Sequence, residues 1–325
     1  MPERPDIGLA EDVRSASTTE TPHSPGIFAE APAEVQADAG APPVGLAAGS
    51  VEGSTKRRLG PAFWLAVAWI TVVILAAILA SVLPLKSPTS TIARPSLGPG
   101  RHFLLGTDDI GRDMLARVVY GARVSIIVGF TSIAIGLMVG GTLGIIAGYY
   151  RGRVGSLIMS VMDMMLAFPT LVLALGIITF LGQSLRNVVI ALGIISVAPI
   201  ARIIRASTLT FSEREFVTAA RSLGARNFRI ITREILPNVA LPTAAFALVA
   251  VAVAIVAEGG LAFLGLSVKA PTASWGGMIN EGRSQLQRHA QVSLIPAAVM
   301  FLTVLAFNFV GDSLRAYFDV REGSL

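Results

Sequence analysis

Six long apolar stretches constrain what this chain of 325 residues can fold into. A helix needs about 20 mostly apolar residues to cross the roughly 30 Å of hydrocarbon in a bilayer. Unpaired backbone groups in lipid cost several kcal/mol each, so each stretch is expected to be helical. The sequence therefore predicts an all-α integral membrane protein with six transmembrane helices, at about 61–83, 122–149, 164–181, 187–204, 241–263 and 292–310.

Charged residues beside these spans predict which end of the bundle faces the cytoplasm. Lys56, Arg57 and Arg58 precede the first span, and positive charge favours the cytoplasmic side. Six crossings then return the C-terminal residues 313–325 to the same side. Six basic residues between the first two spans oppose this orientation, and three aspartates partly offset them. We therefore expect both termini in the cytoplasm.

The N-terminal segment and several missing residue patterns exclude other kinds of protein. Residues 1–55 are rich in Ala, Pro, Glu, Ser and Thr, which predicts a disordered cytoplasmic tail. The first apolar run starts only at Pro61, too late for a cleaved signal peptide. The chain has no cysteine, scattered arginines, three distant histidines and no glycine followed by lysine. We therefore expect no metal, cofactor, nucleotide or nucleic acid bound to it, and no catalytic residue.

Glycines recur every fourth residue along the second span, at Gly136, Gly140, Gly144 and Gly148. Such a stripe lets a second helix backbone approach closely, which is how helices commonly associate in membranes. Packing within one subunit is the favoured interpretation, and a subunit interface is the alternative.

The segment 212–238, SEREFVTAARSLGARNFRIITREILPN, is a polar insert with five arginines between apolar spans. Ser212 and Glu215 fit a capping box, which predicts a helix beginning at 213. Gly224 suits a left-handed helix end, and Pro237 is expected to stop a second helix. Residues at helical spacing predict one apolar face on each helix. These faces comprise Phe216, Ala219, Ala220 and Leu223 on the first helix, and Phe228, Ile231 and Ile235 on the second.

A short amphipathic insert of this kind could dock a soluble partner or lie on anionic lipid. Its pattern resembles the EAA loop of permease subunits of bacterial ABC importers, which forms a coupling helix seated in a cleft of the ATPase. Thr218 stands where that loop has its signature glutamate. The resemblance assigns coupling to eight residues, namely Glu215, Phe216, Ala219, Ala220, Gly224, Ile235, Leu236 and Pro237.

Three further stretches resemble the C-type permease of dipeptide, oligopeptide and nickel importers: GTDDIGRDMLARVVYGARVS at 106–125, EGGLAFLGLSVKAPTASWGGMI at 258–279 and NFVGDSLRAYFD at 308–319. Ser267 replaces a usual glycine, and Ala316 replaces an aspartate. In the first stretch, Asp108 or Asp109 is expected to cap a surface helix. Its apolar face would comprise Ile110, Met114, Leu115 and Val118.

The resemblance covers about 56–320 and implies a type I, MetI-like permease in a bacterial inner membrane. It divides the chain into 56–121, with the first span and an extracytoplasmic loop, and a core at 122–312. It implies a heterodimer with a B-type permease, two ATPase subunits that bind ATP and Mg, and an extracytoplasmic binding protein. The implied cargo is di- or oligopeptides, with nickel complexes, glutathione or other peptide-like solutes as alternatives.

An ion-coupled secondary transporter is the main competing interpretation, and it would need ionisable residues deep in the membrane. Asp163 and Glu258 are the two candidates, near the ends of spans three and five. Polar contacts at helix ends or at a subunit seam are favoured over a proton relay. The sequence has no G-x-S-x-G nucleophile elbow, so it gives no support for a membrane enzyme. Pro169 and Pro199 are expected to loosen spans three and four.

Overall fold

A computed structural model of the chain describes the backbone of residues 60–322 and the side chains of 60–317. Every regular element in this range is helical, and the predicted tail at 1–55 lies outside it. The α-helices are α1 (Pro61–Leu79), α2 (Met114–Tyr150), α3 (Gly152–Ala167), α4 (Thr170–Leu181), α5 (Leu185–Ser212), α6 (Glu215–Ser222), α7 (Asn227–Arg229), α8 (Leu236–Phe263), α9 (Trp275–Glu281) and α10 (Gln291–Glu322). A π-helical segment, Ile230–Ile235, joins α7 to α8, and a 3₁₀ turn, Gly282–Gln285, follows α9.

Five helical segments are long and apolar enough to cross a membrane, and the bent pair α3–α4 makes a sixth if counted as one span. The predicted all-α membrane architecture is confirmed. The pair bends by 86° at Phe168 and Pro169. Phe168 has extended backbone angles because a residue before proline is disfavoured in the helical region. The loosening expected at Pro169 is thus a sharp bend, whereas Pro199 lies inside an unbroken α5.

The glycine stripe of α2 packs against α5 of the same chain. A Cβ atom on Gly140 would lie 2.4 Å from the carbonyl oxygen of Val197, and one on Gly144 would lie 2.6 Å from that of Ala201. Both contacts are to backbone, so only glycine permits this helix separation. The predicted packing within one subunit is confirmed.

The two ends of the bundle carry different connecting segments. The loop 80–113, the turn 264–274 and α9 lie at one end, which we call the α9 end: the indole of Trp275 on α9 donates to the carbonyl of Val118, near the start of α2, at 3.0 Å. The α2–α3 junction, α6 and α7 lie at the other, the α6 end, where the Tyr149 hydroxyl and the Asn227 side chain are 2.9 Å apart. The segment 212–238 and the loop 80–113 therefore lie at opposite ends of the bundle.

The loop 80–113 corrects one prediction. Asp113, not Asp108 or Asp109, is the N-cap of α2, and its carboxylate accepts a hydrogen bond from the amide of Leu115 at 2.9 Å. The expected surface helix is therefore the first two turns of α2, so the helix predicted to start at 122 starts at Met114. Asp108 instead accepts from two loop amides.

An ion-pair network at the α9 end joins this loop to α9. Glu281 lies 2.6 Å from Arg112 and 2.6 Å from Arg117, and the Arg117 side chain is only 1% exposed. Asp108 lies 2.5 Å from Arg112. Although Asp108, Asp109 and Glu281 converge as metal ligands could, two guanidinium groups already hold two of these carboxylates. Arg112 in this loop and Arg117 in α2, two of the basic residues that opposed the predicted orientation, are therefore paired with carboxylates.

Candidate functional site

Helix α6 begins at Glu215, and its N-cap Arg214 makes no side-chain cap. The predicted capping box is wrong because Ser212 is the last residue of α5. Its hydroxyl donates to the carbonyl of Leu209 at 2.9 Å and accepts from Arg151 at 3.0 Å. The polar side chain thus serves the end of the preceding helix rather than the start of the next.

Gly224 ends α6 as predicted. Its φ is 80°, in the left-handed region that favours glycine. The amide of Ala225 donates to the carbonyl of Ala220 at 3.0 Å, and the amide of Gly224 donates to that of Arg221 at 3.0 Å. These two bonds form a Schellman motif, which satisfies the last carbonyls of the helix and fixes the turn into α7.

The segment 212–238 is anchored by a few buried aliphatic side chains. Val217, Ile230 and Ile235 are completely buried and join the same core cluster as Phe211 and Val239. The cluster therefore includes the end of α5 and the start of α8, so α6 is attached firmly to both helices.

The opposite face of the segment is apolar and uncovered in this chain. Leu223 is 88% exposed, Phe228 77% and Phe216 39%. Burying such side chains fully would contribute about 1.5–3 kcal/mol each, so this face is costly without a partner. It is the face expected of a docking surface.

The eight residues assigned to coupling differ in their exposure. Glu215, Phe216, Ala219, Gly224, Leu236 and Pro237 are exposed, Ala220 is half-buried and Ile235 is fully buried. Thr218 is also exposed, on the same helix. Their assigned contacts with an ATPase stay a prediction, although Ile235 acts as an anchor within this chain.

The second predicted helix does not stop at Pro237. Helix α7 continues through the π-helical Ile230–Ile235 into α8, with Pro237 in its first turn. Proline fits the first turn of α8 because its fixed φ suits a helix start, although its missing N–H leaves one carbonyl of the preceding turn without that donor. The Asn238 side chain donates to the carbonyl of Glu234, one turn earlier, at 2.6 Å. The insert is therefore one short helix and the first turns of a spanning helix.

Arg151 connects the segment to the α2–α3 junction, a contact that the sequence did not suggest. Its guanidinium lies 2.9 Å from the carboxylate of Glu213 and donates to Ser212. Arg151 has a φ of 49°, which is uncommon for a residue other than glycine. Positive charge immediately after α2 was the available signal, but its partner depends on tertiary structure.

Asp163 and Glu258 lie in different surroundings. Asp163 on α3 is exposed and forms an ion pair with Arg202 on α5. Glu258 on α8 is fully buried and accepts a hydrogen bond from Ser267 at 2.7 Å and a longer one from Ser125 at 3.4 Å. Neither residue lines the apolar cavity of about 260 Å³ beside the α3–α4 bend. A role of either in a pathway or subunit seam stays a prediction.

Residues 140–323 match the family of binding-protein-dependent transport system inner membrane components. The chain belongs to this family. The matched region includes α5, the segment 212–238 and α8, so it contains the candidate site described above.

Curated relatives of this chain are permeases of peptide and glutathione systems. A dipeptide transport system permease protein, DppC, of Alkalihalophilus pseudofirmus is 41% identical over 256 residues, which are 78% of this chain and 84% of that protein. A glutathione transport system permease protein, GsiD, of Pectobacterium atrosepticum is 38% identical over 224 residues, 69% of this chain and 74% of the relative. A di/tripeptide permease, DppC, of Pseudomonas aeruginosa is 42% identical over 224 residues, with the same coverage.

The fold is also similar to a solved structure. An inward-facing structure of the MetNI methionine ABC transporter gives a TM-score of 0.54 at 18% identity, covering 63% of this chain and 97% of that one. This similarity shows the MetI-like permease fold.

Proposed function

We propose that this chain is the permease subunit of an ATP-driven, binding-protein-dependent importer of di- and oligopeptides. The names of the DppC relatives, at 41% and 42% identity, support the substrate class. The observation that carries the mechanism is the exposed apolar face of the segment 212–238 above a buried anchor. We call this face, Phe216, Leu223 and Phe228 with Ala219 between them, the coupling face.

The coupling face docks on an ATPase subunit, which supplies the energy that this chain does not. Helix α5 leads directly into the segment and α8 leads directly out of it. Because Val217 and Ile230 are buried in a core shared with both helices, a force on α6 moves α5 and α8 together. This motion switches the access of a lumen formed with a second, B-type permease.

The remaining partners and the orientation follow from this assignment. Two ATPase subunits bind ATP and Mg in the cytoplasm, so the α6 end and both termini face that side. An extracytoplasmic binding protein delivers substrate to the α9 end. Glutathione is the second candidate substrate because a GsiD relative is 38% identical.

Replacing Ala219 with Glu tests the docking. Ala219 is exposed on α6, so the change does not disturb the core of this chain, yet it buries an unpaired charge against the ATPase. Such a charge costs several kcal/mol, so we expect peptide uptake and peptide-stimulated ATP hydrolysis to fall at least about tenfold.

The matched control is Leu104→Glu, which adds the same charge at an exposed position of the α9 end. Both variants should insert normally, and only Ala219→Glu should release the ATPase during purification. Full uptake by Ala219→Glu would refute docking through α6. Uptake that persists without ATP and stops when the proton gradient is dissipated would instead support an ion-coupled transporter.

A further inference from the structure

A polar cavity of about 360 Å³ lies between the start of α3 and the end of α5, at the α6 end. Its lining includes Arg151, Ser156, Asp163 and Arg205. Its size falls within the range of roughly 300–1,000 Å³ that small-ligand pockets occupy. It is separate from the coupling face and from the apolar cavity at the α3–α4 bend.

Arg205 is the unusual member of this cavity. It is half-buried, and its Nε atom is sealed from solvent without a hydrogen-bond partner among the described residues. The buried Arg112 and Arg117 at the other end each bind carboxylates. A partly buried cation without a counter-ion is unfavourable, so the site lacks an anion.

The other charges around the cavity do not supply that anion. Asp163 pairs with Arg202, and Glu213 pairs with Arg151. Arg151 and Arg205 line the cavity with the single carboxylate of Asp163, and Arg151 and Asp163 are each paired with a residue outside the lining, which leaves the positive charge of Arg205. The start of α3 adds to the positive electrostatic potential of the cavity, because no side chain caps its first amides.

The residues beside the cavity indicate the rest of the ligand. Leu157, Val161 and Met164 are exposed apolar side chains on α3, adjacent in sequence to the polar Ser156, Ser160 and Asp163. A phosphate headgroup above an acyl chain matches a basic pocket beside such an apolar surface. Guanidinium groups also bind phosphate oxygens with good geometry.

We propose that this cavity binds the phosphate group of an anionic phospholipid, with Arg205 as its main cationic contact and Arg151 at the rim. If the chain has the proposed function, lipid bound at this site also affects coupling; this part of the inference rests on that function. Arg151 holds Ser212 and Glu213, immediately before α6, so phosphate at the rim competes with Glu213 for Arg151. Lipid binding itself does not depend on that function.

The test measures phospholipid binding by native mass spectrometry on the purified full-length chain. Phosphatidylglycerol and phosphatidylcholine are titrated separately. We expect Arg205→Ala to lower the affinity for phosphatidylglycerol about fivefold or more and to leave the weak binding of phosphatidylcholine unchanged. The control Arg186→Ala removes an exposed arginine from the other end of the same helix and should have no effect.

Two further measurements keep the proposal open to refutation. Ser156→Asp places a negative charge at the exposed rim without altering Arg205, so it should also weaken phosphatidylglycerol binding. This variant replaces Arg205→Ala as the test if Arg205→Ala does not fold. Inorganic phosphate that displaces the lipid at millimolar concentration would overturn the lipid source and identify free phosphate as the ligand. Equal phosphatidylglycerol affinities in wild type, Arg205→Ala and Ser156→Asp would overturn the site altogether, whether or not the chain transports peptides.

Discussion

Glu258 shows how a single polar residue organises the α9 end at the residue scale. Within the described residues, no basic side chain contacts its buried carboxyl group. Its hydrogen bonds come from Ser125 on α2 and from Ser267 in the turn after α8. Ser125 also accepts from the amide of Trp275, at the start of α9, at 3.3 Å. Glu258 therefore links three elements of this chain.

Ser267 stands where the family pattern has glycine, which has no side chain that could bond the Glu258 carboxyl group. The hydrogen bond from Ser267 to Glu258 is therefore a feature that a glycine at this position could not provide. We expect Ser267→Ala to lower the free energy of unfolding by about 0.5–1.5 kcal/mol, the usual net value of one hydrogen bond. A double-mutant cycle with Glu258→Ala should give a coupling energy of about 0.5–3 kcal/mol. Unfolding of the detergent-solubilised chain by increasing dodecyl sulfate measures each value.

Thr142→Ala supplies the control for this cycle. Thr142 lies on α2 about 25 Å along the helix from Ser125, and its hydroxyl bonds only within α2. Its effect should add to that of Ser267→Ala. If the effects of Ser267→Ala and Glu258→Ala on the free energy of unfolding were additive, the hydrogen bond between Ser267 and Glu258 would not contribute to stability. Loss of uptake in Glu258→Gln at unchanged stability would favour a proton relay.

At the scale of elements, the contact between α2 and α5 depends on the absence of side chains. Gly140→Ala would place a Cβ atom 2.4 Å from the Val197 carbonyl, so the helices must separate. We expect a loss of about 1–3 kcal/mol in the free energy of unfolding. Judged by helix propensity alone, alanine is more favourable than glycine by about 0.8–1 kcal/mol. A decrease in the free energy of unfolding would therefore indicate the clash with Val197, and an increase would indicate that there is no clash.

Gly176→Ala in α4 is the matched control, because a Cβ atom there meets no other atom within 4 Å. It should leave the stability of the solubilised chain unchanged or slightly raised in the same dodecyl sulfate titration. If Gly140→Ala were as stable as Gly176→Ala, the close approach of α2 and α5 would be wrong.

The elements were predictable from sequence where one local force dominates. Apolar length located five of the six spans, whereas the span predicted at 164–181 is two helices, Gly152–Ala167 and Thr170–Leu181, with an 86° bend between them. The glycine period identified the face of α2 that meets α5. The ends of helices depend on competing contacts, and they were less predictable. Ser212 was expected to start a helix but ends one, where its hydroxyl bonds the carbonyl of Leu209 in α5 and Arg151 of the α2–α3 junction. Pro237 was expected to end a helix but lies in the first turn of α8.

The candidate site was predictable to a similar degree. The period of Phe216, Ala219 and Leu223 identified an apolar face, and the structure leaves that face exposed. The anchor Val217 follows Phe216 directly and was not identified, because a short helix offers too few residues to distinguish its two apolar sides. The cavity at Arg205 was not predictable, since its lining comes from segments some 50 residues apart in sequence.

At the scale of the whole molecule, the two ends differ in how their charges are used. Arg112 and Arg117 at the α9 end are buried in ion pairs, whereas most arginines of the segment 212–238 are exposed at the α6 end. The positive-inside preference counts Lys and Arg near the spans and gives little weight to acidic residues. The five arginines of the segment 212–238 therefore favour a cytoplasmic α6 end, and the basic residues of the α9 end oppose it.

Single cysteines test this orientation, because the chain has none of its own. Leu223→Cys marks the α6 end and Leu104→Cys the α9 end, and both positions are well exposed. A membrane-impermeant maleimide should label Leu104→Cys in intact spheroplasts and Leu223→Cys only after permeabilisation. Co-expressed ATPase subunits should then slow labelling of Leu223→Cys alone, since they cover the coupling face. Labelling of Leu223→Cys in intact spheroplasts would reverse the topology and remove the coupling face from the reach of a cytoplasmic ATPase.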